Sequence, residues 1–199
     1  MKLIIASNNA HKVTEIKAIL GDYYEQILSL KDAGVEIDVE EDADTFEGNA
    51  LKKASEIFDA VDADAVLSDD SGLEVDALGG APGVYSARYA GEGHDDAANN
   101  AKILENMKDV ADEKRTCRFV SAVALVRRDK QPIVVRGTVE GMLLHAPQGE
   151  NGFGYDPLFF VKEKNKTYAE MSSEEKNAIS HRGKAIELLA AELGKKFNS

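Results

Sequence analysis

Residues 2–20 read KLIIASNNAHKVTEIKAIL, in which a strand pattern is followed directly by a helix pattern. The apolar run at 2–6 predicts a short buried strand. Apolar residues then recur at helical spacing, which predicts a helix over 12–20 that stops at Gly21. A strand that passes through a polar turn into a helix is a building unit of α/β folds, and the rest of the chain continues to alternate strand and helix.

Further strand patterns follow along the chain. A weak one falls near 27–30, a buried one at 65–68, and two long ones at 116–127 and 132–140. Only a short turn at 128–130 separates the last two, and so short a connection favours an antiparallel hairpin. We therefore expect an α/β fold with a mixed sheet.

Three more helical segments are predicted from their start signals. Thr45 is an expected N-cap for a helix with an apolar face, and Asp95 or Asp96 is expected to cap the next helix. Ser172 and Glu175 have the spacing of a capping box, which predicts a helical C-terminus. No Pro/Gly/Ser-rich linker divides the chain, so we expect a single domain.

Composition excludes several classes of function. The chain has 199 residues and a formal net charge of -12, so it repels nucleic-acid polymers and anionic membranes, and neither is an expected partner. Cys117 is the only cysteine, which excludes an intramolecular disulfide and suits a cytoplasmic protein. The apolar run at 3–6 is too short for a signal peptide or a membrane span.

The six residues from Ser7 to Lys12 are candidates for binding an anion. They follow a predicted strand and open a predicted helix, whose N-terminus offers free N–H groups and partial positive charge. Lys12 adds a full positive charge. The glycine pattern of a Walker A or dinucleotide-binding loop is absent, so an Asn-rich helix cap without a ligand is the alternative interpretation.

Two acidic stretches are candidates for Mg²⁺ binding. Residues 39–44 (VEEDAD) place several acids before a predicted helix. Residues 67–75 (LSDDSGLEV) place Asp69 and Asp70 at the end of an apolar strand, before a predicted Ser-Gly turn. Paired carboxylates hold Mg²⁺, and adjacent like charges repel unless a cation compensates them. For the first stretch, a solvated loop that stabilises the next helix N-terminus is the alternative.

Two C-terminal segments are candidates for binding a flat heterocycle. Phe153 to Asp156 (FGYD) combine aromatic residues with a glycine and an acid, a set that can stack on a ring and hydrogen-bond it. Ser180 to Gly183 (SHRG) include a His-Arg pair that can donate to a carbonyl or phosphate, and Lys176 could reach the same pocket. A core aromatic with a surface basic pair is the alternative. Together, the candidate stretches describe a nucleotide site.

Five motifs, in this order, resemble the inosine triphosphate pyrophosphatase family, and in particular its bacterial dITP/XTP branch. The motifs are SNNAHK (7–12), EE…TFEGNA (40–50), SDDSGLEVDALGGAPGVYSARYAG (68–91), GFGYDP (152–157) and EEKNAISHRGKA (174–185). The resemblance extends from about 3 to 192, nearly the whole chain.

The resemblance implies a Mg²⁺-dependent, cytoplasmic hydrolase of deaminated purine nucleoside triphosphates (ITP, dITP and XTP). Its products would be the nucleoside monophosphate and pyrophosphate, and its task the cleansing of the nucleotide pool. The resemblance also implies an elongated, two-lobed α/β fold in a single domain over 1–199. The active site would lie in the cleft between the lobes, and the protein would be a homodimer.

The resemblance also assigns roles to matching residues. Asp70 would be the catalytic and metal-linked aspartate, Glu40 the metal-binding glutamate and Ser71 a substrate contact, while a place for Glu41 or Asp69 in the metal shell stays open. The triphosphate loop would be Ser7, Asn8, Asn9, Ala10, His11 and Lys12. The base pocket would be Phe153, Gly154, Tyr155, Asp156, Lys176, His181 and Arg182.

Many family members have glycine where this chain has Asn8. Asparagine tolerates left-handed backbone angles better than most residues, so the loop is expected to keep its shape.

These residues suggest a mechanism. Asp70 would position or deprotonate a water for attack on the α-phosphorus. Lys12 and Lys53 would stabilise the charge that develops on the leaving pyrophosphate. Donors from His181 and Arg182 would favour the six-position carbonyl of hypoxanthine and xanthine over the amino group of adenine.

Two other functions stay open at this point. A pyrophosphatase acting on modified pyrimidines would keep the metal-binding acids but would not need the FGYD and SHR residues. A nucleotide-binding regulator without turnover would keep the phosphate loop but would not need both Glu40 and Asp70.

Overall fold

The computed structural model describes residues 1–21 and 23–197, apart from the side chains at 11, 18, 19 and 195–197. The strands are β1 (Lys2–Ile5), β2 (Gln26–Ser29), β3 (Ala65–Val75), β4 (Thr116–Arg127), β5 (Lys130–Leu143), β6 (Phe159–Val161) and β7 (Lys166–Thr167). The helices are α1 (Ala10–Leu20), α2 (Phe46–Ala60), α3 (Asp96–Asn106), α4 (Ser173–Asn177) and α5 (His181–Phe197). No helix in these described ranges is long and apolar enough to cross a membrane.

The strands form one mixed sheet in the order β2-β1-β3-β4-β5-β6-β7. β1 pairs in parallel with β2 and β3, so that Leu3 lies opposite Ile27 on one side and Ala65 on the other. β6 is antiparallel to both β5 and β7. Arg128 and Asp129 alone connect β4 to β5, and Asp129 has a φ of 55°, as tight turns often require. The predicted α/β class with a mixed sheet is confirmed.

The chain divides into two compact units. Unit 1 consists of Met1–Asp70, Ser121–Gly137 and His181–Ser199, and unit 2 consists of Ser71–Val120 and Thr138–Ser180. The strands β3, β4 and β5 each contribute residues to both units.

Unit 1 has its own apolar core, in which α1 and α5 contact each other and cover strand residues. Ile16 of α1 and Ile186 of α5 are both fully buried in this core, together with Leu3 and Leu67 of the strands. Burying one such side chain stabilises the fold by ~1.5–3 kcal/mol. The helical spacing that predicts α1 from the sequence is therefore the face of this helix that packs into the core.

Unit 2 has a separate core that is built around aromatic rings. The ring centroids of Phe119 and Phe159 lie 4.7 Å apart, and Tyr168 lies 5.6 and 4.8 Å from the two. Cys117 is also buried there, and its burial raises the pKa of the thiol to about 12. Because the thiolate is the reactive form, this cysteine is chemically inert near neutral pH.

The predicted helix caps are present. Thr45 caps α2 and Asp95 caps α3, and each side chain accepts a backbone N–H from three residues further on, at 3.1 and 3.0 Å. Ser172 and Glu175 form the capping box of α4. This helix is short, however, and the chain leaves helical geometry before α5 begins at His181. The two helices are thus separated at residues 178–180, and the SHRG motif does not interrupt the helix, because His181 to Gly183 form the first turn of α5.

One expectation is wrong, because no turn follows Asp69 and Asp70. β3 continues through Gly72 to Val75. Gly72 is a point of close approach: a Cβ atom there would lie 2.4 Å from Ser86 Oγ and 2.6 Å from the carbonyl oxygen of Gly83. A glycine inside a strand often marks such an approach, and its sequence neighbours alone do not distinguish it from a turn residue.

Candidate active site

The connection between β1 and α1 contains the predicted triphosphate loop. Ser7 Oγ accepts the N–H of Asn9 at 3.1 Å, and Asn9 Oδ1 accepts the N–H of Lys12 at 3.2 Å. α1 begins at Ala10, two residues earlier than predicted, and Asn8 precedes it on the surface. The first N–H groups of a helix lack partners within the helix, so this exposed connection can offer donors to a phosphate.

Asp69 is the centre of a buried ion cluster in unit 1. Its Oδ1 lies 2.8 Å from Lys12 Nζ, and its Oδ2 lies 3.2 Å from Arg182 Nε. Ser121 Oγ donates a hydrogen bond of 2.9 Å to the same Oδ2. Burial acts to raise the pKa of Asp69, but the charges of Arg182 and Lys12 outweigh it and hold that pKa well below its usual range. Asp69 is therefore a permanent anion that fixes two cations.

Arg182 is 1% exposed and contacts a second carboxylate, that of Glu15 on α1. Arg182 is the second residue of α5, and the start of this helix packs closely on β5. A Cβ atom at Gly137 would lie 2.1 Å from the carbonyl oxygen of His181, so only glycine fits there. These contacts give Arg182 a structural task within unit 1, in addition to its predicted role in reading the base.

Asp70 has a different environment, although it is the next residue along β3. It is 7% exposed, and its Oδ2 accepts a 3.0 Å hydrogen bond from Asn49 Nδ2 of α2. Burial and, after it, the negative charge of Glu41 raise the pKa of Asp70 to about 6. Its carboxyl group thus gains and loses a proton close to neutral pH, as a general base requires.

Asn49 also fixes the acidic segment that precedes α2. Its Oδ1 accepts the N–H of Ala43 at 2.9 Å while its amide nitrogen donates to Asp70. Sequence reasoning did not select Asn49, although it lies within the TFEGNA motif. A buried amide in an amphipathic helix is the signal that could have identified it.

Glu41 and Glu40 differ in their relation to Asp70. Glu41 is half-buried, pairs with Lys53 Nζ at 2.6 Å, and its charge acts on Asp70. Glu40 is exposed, and its charge acts on Lys52. The structure thus associates Glu41 with Asp70, and the assignment of Glu40 as a metal ligand stays a prediction.

The acids fit Mg²⁺ by their chemistry. Within residues 1–21 and 23–197, no group of three or more His, Cys, Asp or Glu residues is arranged to hold a metal. Mg²⁺ usually binds through one or two carboxylates and completes its shell with waters and substrate phosphates. The negative charge of Glu41 repels that of Asp70 and helps to raise the pKa of Asp70. A divalent cation bound beside the two carboxylates would neutralise this excess negative charge.

Unit 2 contains the predicted base-binding residues of the FGYD motif. Asp156 is 2% exposed, and its Oδ2 accepts hydrogen bonds from the N–H of Phe153 at 3.0 Å and from Lys176 Nζ at 2.7 Å. Lys176 Nζ also lies 4.9 Å from the centroid of the Phe153 ring. The structure therefore brings these three predicted residues together.

Two residues of helix α3, which is not part of the FGYD motif, hydrogen-bond the backbone of Gly154. Gly154 has a φ of 62°, its N–H donates to Asp96 Oδ2 at 2.7 Å, and its carbonyl oxygen accepts from Asn100 Nδ2 at 2.8 Å. Tyr155 donates its hydroxyl to the carbonyl oxygen of Ser86 at 2.8 Å. From the sequence, Asp96 is predicted only as a helix cap, and Asn100 is not predicted as a site residue. Asp96 and Asn100 are four residues apart and therefore lie on one face of α3. This spacing is the feature of the sequence that could have indicated a shared contact.

Two predicted site residues remain to be placed. Ser71 follows Asp70 on β3 and is half-buried. His181 begins α5 and is 4% exposed. The side chain of His11 lies outside the described part of the chain.

Comparison with known proteins identifies the family. Residues 3–192 match the model of the Ham1 family, so the chain belongs to that family. This confirms the resemblance to inosine triphosphate pyrophosphatases. A dITP/XTP pyrophosphatase of Clostridium perfringens is 56% identical over 94% of this chain and 95% of that protein. A dITP/XTP pyrophosphatase of Leuconostoc mesenteroides is 51% identical over 99% and 96% of the two chains.

Solved structures agree with this assignment. The structure of the Staphylococcus aureus Ham1 protein has a TM-score of 0.89 and 42% identity, and the match covers 98% of this chain and 100% of that chain. A HAM1 protein from Coxiella burnetii has a TM-score of 0.86 and 38% identity, with 98% and 99% of the two chains covered.

Proposed function

We propose that this protein hydrolyses deaminated purine nucleoside triphosphates (dITP, ITP and XTP) to the nucleoside monophosphate and pyrophosphate. As a Ham1 family member whose close relatives are dITP/XTP pyrophosphatases, it is a nucleoside triphosphate pyrophosphatase. The observation that carries the proposal is the contrast between Asp69, which is held ionised, and Asp70, whose pKa is raised to about 6. Two neighbouring carboxyl groups with separated pKa values are typical of catalytic sites.

In the proposed reaction Asp70 is the general base. Its carboxylate positions a water molecule and accepts a proton from it as the water attacks the α-phosphorus. Asn49 supports this role because its hydrogen bond fixes one carboxylate oxygen and with it the orientation of the carboxyl group. A pKa of about 6 keeps most Asp70 side chains ionised at neutral pH while it retains useful basicity.

The triphosphate is proposed to bind the loop of Ser7, Asn8, Asn9, Ala10, His11 and Lys12. Lys12 and Lys53 supply positive charge that stabilises the leaving pyrophosphate. Both lysines are preorganised by acids, Lys12 by Asp69 at 2.8 Å and Lys53 by Glu41 at 2.6 Å. Such pairing fixes the ammonium groups before the substrate arrives, which lowers the cost of ordering them.

Mg²⁺ is the proposed cofactor, held by Glu40 and Asp70, with Glu41 as a candidate for a further ligand. When bound, it supplies neutralisation of the phosphate charges in a protein with a net charge of -12. Asp70 then also has to present an ionised carboxylate to the cation, which its position beside Asn49 allows.

The purine base is proposed to contact Phe153, Gly154, Tyr155 and Asp156 of the FGYD motif. The Phe153 ring provides a stacking surface, and Lys176 is held beside this ring by its hydrogen bond to Asp156. His181 and Arg182 are the proposed readers of the six-position carbonyl, and Ser71 is a further proposed substrate contact. Selection by donors works because a mismatched amino group leaves buried polar atoms unpaired.

The proposal extends to cellular context. We propose that the enzyme acts in the cytoplasm as a homodimer and removes deaminated nucleotides from the pool. The single cysteine, which is buried, is compatible with a reducing compartment. The net charge of -12 argues for a nucleotide substrate and against a nucleic-acid polymer.

The direct test is pyrophosphate release from dITP, XTP, dATP and dGTP, with Mg²⁺ and with a chelator. We expect Mg²⁺-dependent release from dITP and XTP to exceed release from dATP and dGTP by a large factor, up to ~10⁴ for a well-built polar site. Modified pyrimidine triphosphates belong in the same panel as the rival substrate class. Equal rates for all purines would refute the proposed specificity, and binding of dITP without turnover would favour a regulator.

A further inference from the structure

A cavity lies in unit 1, at the end of the sheet where β1 and β3 begin. Its volume is about 210 Å³, and it is lined by residues that include Tyr23, Tyr24, Asp64, Arg127, Arg128 and Lys130. The predicted triphosphate loop follows the opposite end of β1. At about 3.3 Å per residue, the four residues of β1 separate the two places by roughly 13 Å. The cavity is therefore distinct from the proposed catalytic residues.

Arg127 is the unusual residue of this cavity. Its Nε and Nη2 atoms are buried, and neither has a hydrogen-bond acceptor among the described residues. Buried donors are almost always paired in folded proteins, and an orphaned pair on a charged group calls for an acceptor such as a bound ion or water. The guanidinium group presents its donors in a planar fork that matches an oxyanion.

The charges around the cavity favour an anion. Among the described lining residues, three are cationic (Arg127, Arg128 and Lys130) and one is a carboxylate, Asp64. Arg128 is also paired with Asp62 at 3.4 Å, so Arg127 and Lys130 supply most of the surplus positive charge. Asp64 Oδ2 already accepts the N–H of Lys2 at 2.7 Å. The chain as a whole has a net charge of -12, so a cavity lined by more cations than anions differs in sign from the rest of the protein.

Tyr24 adds a neutral donor. Its side chain is mostly buried, and burial raises the pKa of its phenol, so the hydroxyl stays protonated and can donate. The volume far exceeds the ~30 Å³ that one water molecule occupies in the liquid, so a polyatomic ion has room.

We propose that this cavity binds a small oxyanion with at least two negative charges, a phosphate or a polycarboxylate, with Arg127 as its principal donor. The unsatisfied Arg127 nitrogens and the surplus of cations both point to this ligand class. The oxyanion accepts hydrogen bonds from the guanidinium fork, and Arg128 and Lys130 contribute charge at the rim.

The chain contains no tryptophan, so Tyr23→Trp introduces a single fluorescent reporter at the cavity. The Tyr23→Trp protein is titrated with inorganic phosphate, with citrate and with sodium chloride at matched ionic strength. We expect a saturable change with phosphate or citrate and none with chloride. A response to phosphate alone or to citrate alone distinguishes the two ligand sources.

Arg127→Met in the Tyr23→Trp protein should weaken the apparent affinity by about tenfold or more, because a charge-assisted hydrogen bond is lost. Lys108→Met is the matched control, since it also removes one positive charge but lies in unit 2 on an exposed, ion-paired side chain. It should leave the titration unchanged. Identical curves for Arg127→Met and its parent, or no saturable signal with either oxyanion, would overturn the proposal.

A melting experiment checks folding and gives a second reading. Without added anion, Arg127→Met should melt no lower than the wild type, because it removes two buried guanidinium nitrogens that have no hydrogen-bond partner among the described residues. Phosphate bound at the triphosphate loop stabilises both proteins equally, so only the additional stabilisation of the wild type reports the cavity. If each anion, phosphate and citrate, raised the melting temperature of Arg127→Met as much as that of the wild type, the result would contradict the proposed site.

Discussion

At Asp69 and Asp70, the alternation of a β-strand sends two successive carboxylates to opposite faces of the sheet. Asp69 meets the cations of Lys12 and Arg182, whereas Asp70 meets the amide of Asn49 and the charge of Glu41. The first pKa falls and the second rises, although both residues are buried. The different environments of Asp69 and of Asp70, the proposed general base, thus follow from strand geometry.

Asp69→Asn should destabilise the fold strongly. The substitution leaves Lys12 and the buried Arg182 without their shared counter-ion, and breaking a buried ion pair from one side costs ~3–5 kcal/mol. Urea denaturation at neutral pH measures the loss. Ser121→Ala, which removes only one hydrogen bond to Asp69, is the matched control and should cost ~1 kcal/mol. Equal losses in the two variants would contradict the structural role of Asp69.

Asp70→Asn should have the opposite effect on the metal-free protein. A raised pKa means that the folded state binds the proton more tightly, so ionisation of Asp70 costs stability as pH rises from about 4 to about 6. The variant should therefore be more stable than the wild type above pH 6, by up to ~3 kcal/mol, and equal to it near pH 3. Thermal melts in chelator across this range test the sign. A destabilised variant at pH 8 would rule out the raised pKa.

Among the elements, helix α3 positions the FGYD motif, although no contact between the two is predicted from the sequence. Asp96 and Asn100 hold the N–H and the carbonyl of Gly154, whose positive φ only glycine adopts easily. Both peptide groups of this glycine are therefore fixed from one helix face.

Asp96→Ala should raise the KM for dITP by about tenfold, with a smaller change in kcat, because one charge-assisted hydrogen bond to the loop is lost. Asp95→Ala is the matched control: it removes the cap of α3 and costs ~1 kcal/mol of stability, but it leaves the loop contact in place. Steady-state kinetics on dITP, with melts of both variants, separate positioning from stability. If Asp95→Ala raised the KM as much as Asp96→Ala does, the effect would be due to the lower stability of α3 and not to the contact with Gly154.

The elements show what local sequence can predict. The caps Thr45, Asp95 and Ser172 are predictable because each cap oxygen accepts the backbone N–H of the residue three positions further on. The extension of β3 through Gly72 was not predictable, because the close approach of Ser86 that requires glycine is a tertiary contact. Serine and glycine together favour a turn only when no neighbouring strand competes for their backbone.

At the scale of the whole molecule, the family assignment and the α/β class followed from motifs, whereas the contacts among site residues did not. The ion pair of Asp69 with Arg182 joins residues 113 positions apart, and no spacing rule predicts such a contact. The motifs show which residues belong to the family pattern. Only the folded chain shows that Lys12 and Arg182 share one carboxylate, or that Lys176 pairs with Asp156.

The two compact units also divide the proposed chemistry. The triphosphate loop, Asp70 and the acidic segment at 39–44 belong to unit 1, and the FGYD motif with Lys176 belongs to unit 2. Each unit has its own apolar core. The proposed readers of the six-position carbonyl, His181 and Arg182, belong to unit 1 as well. Substitutions in the triphosphate loop and substitutions in the FGYD motif should therefore affect different cores, and their effects on stability should add.

The most direct measurement is pyrophosphate release from dITP by the wild type and by Asp70→Asn, with Mg²⁺, on samples shown by melting to be folded. Loss of a general base should lower kcat by ~10²–10⁴ while the variant remains folded and, in chelator above pH 6, more stable than the wild type. That combination would establish Asp70 as the catalytic carboxylate of a nucleoside triphosphate pyrophosphatase. A variant that releases pyrophosphate at a rate close to the wild type would contradict this function for Asp70.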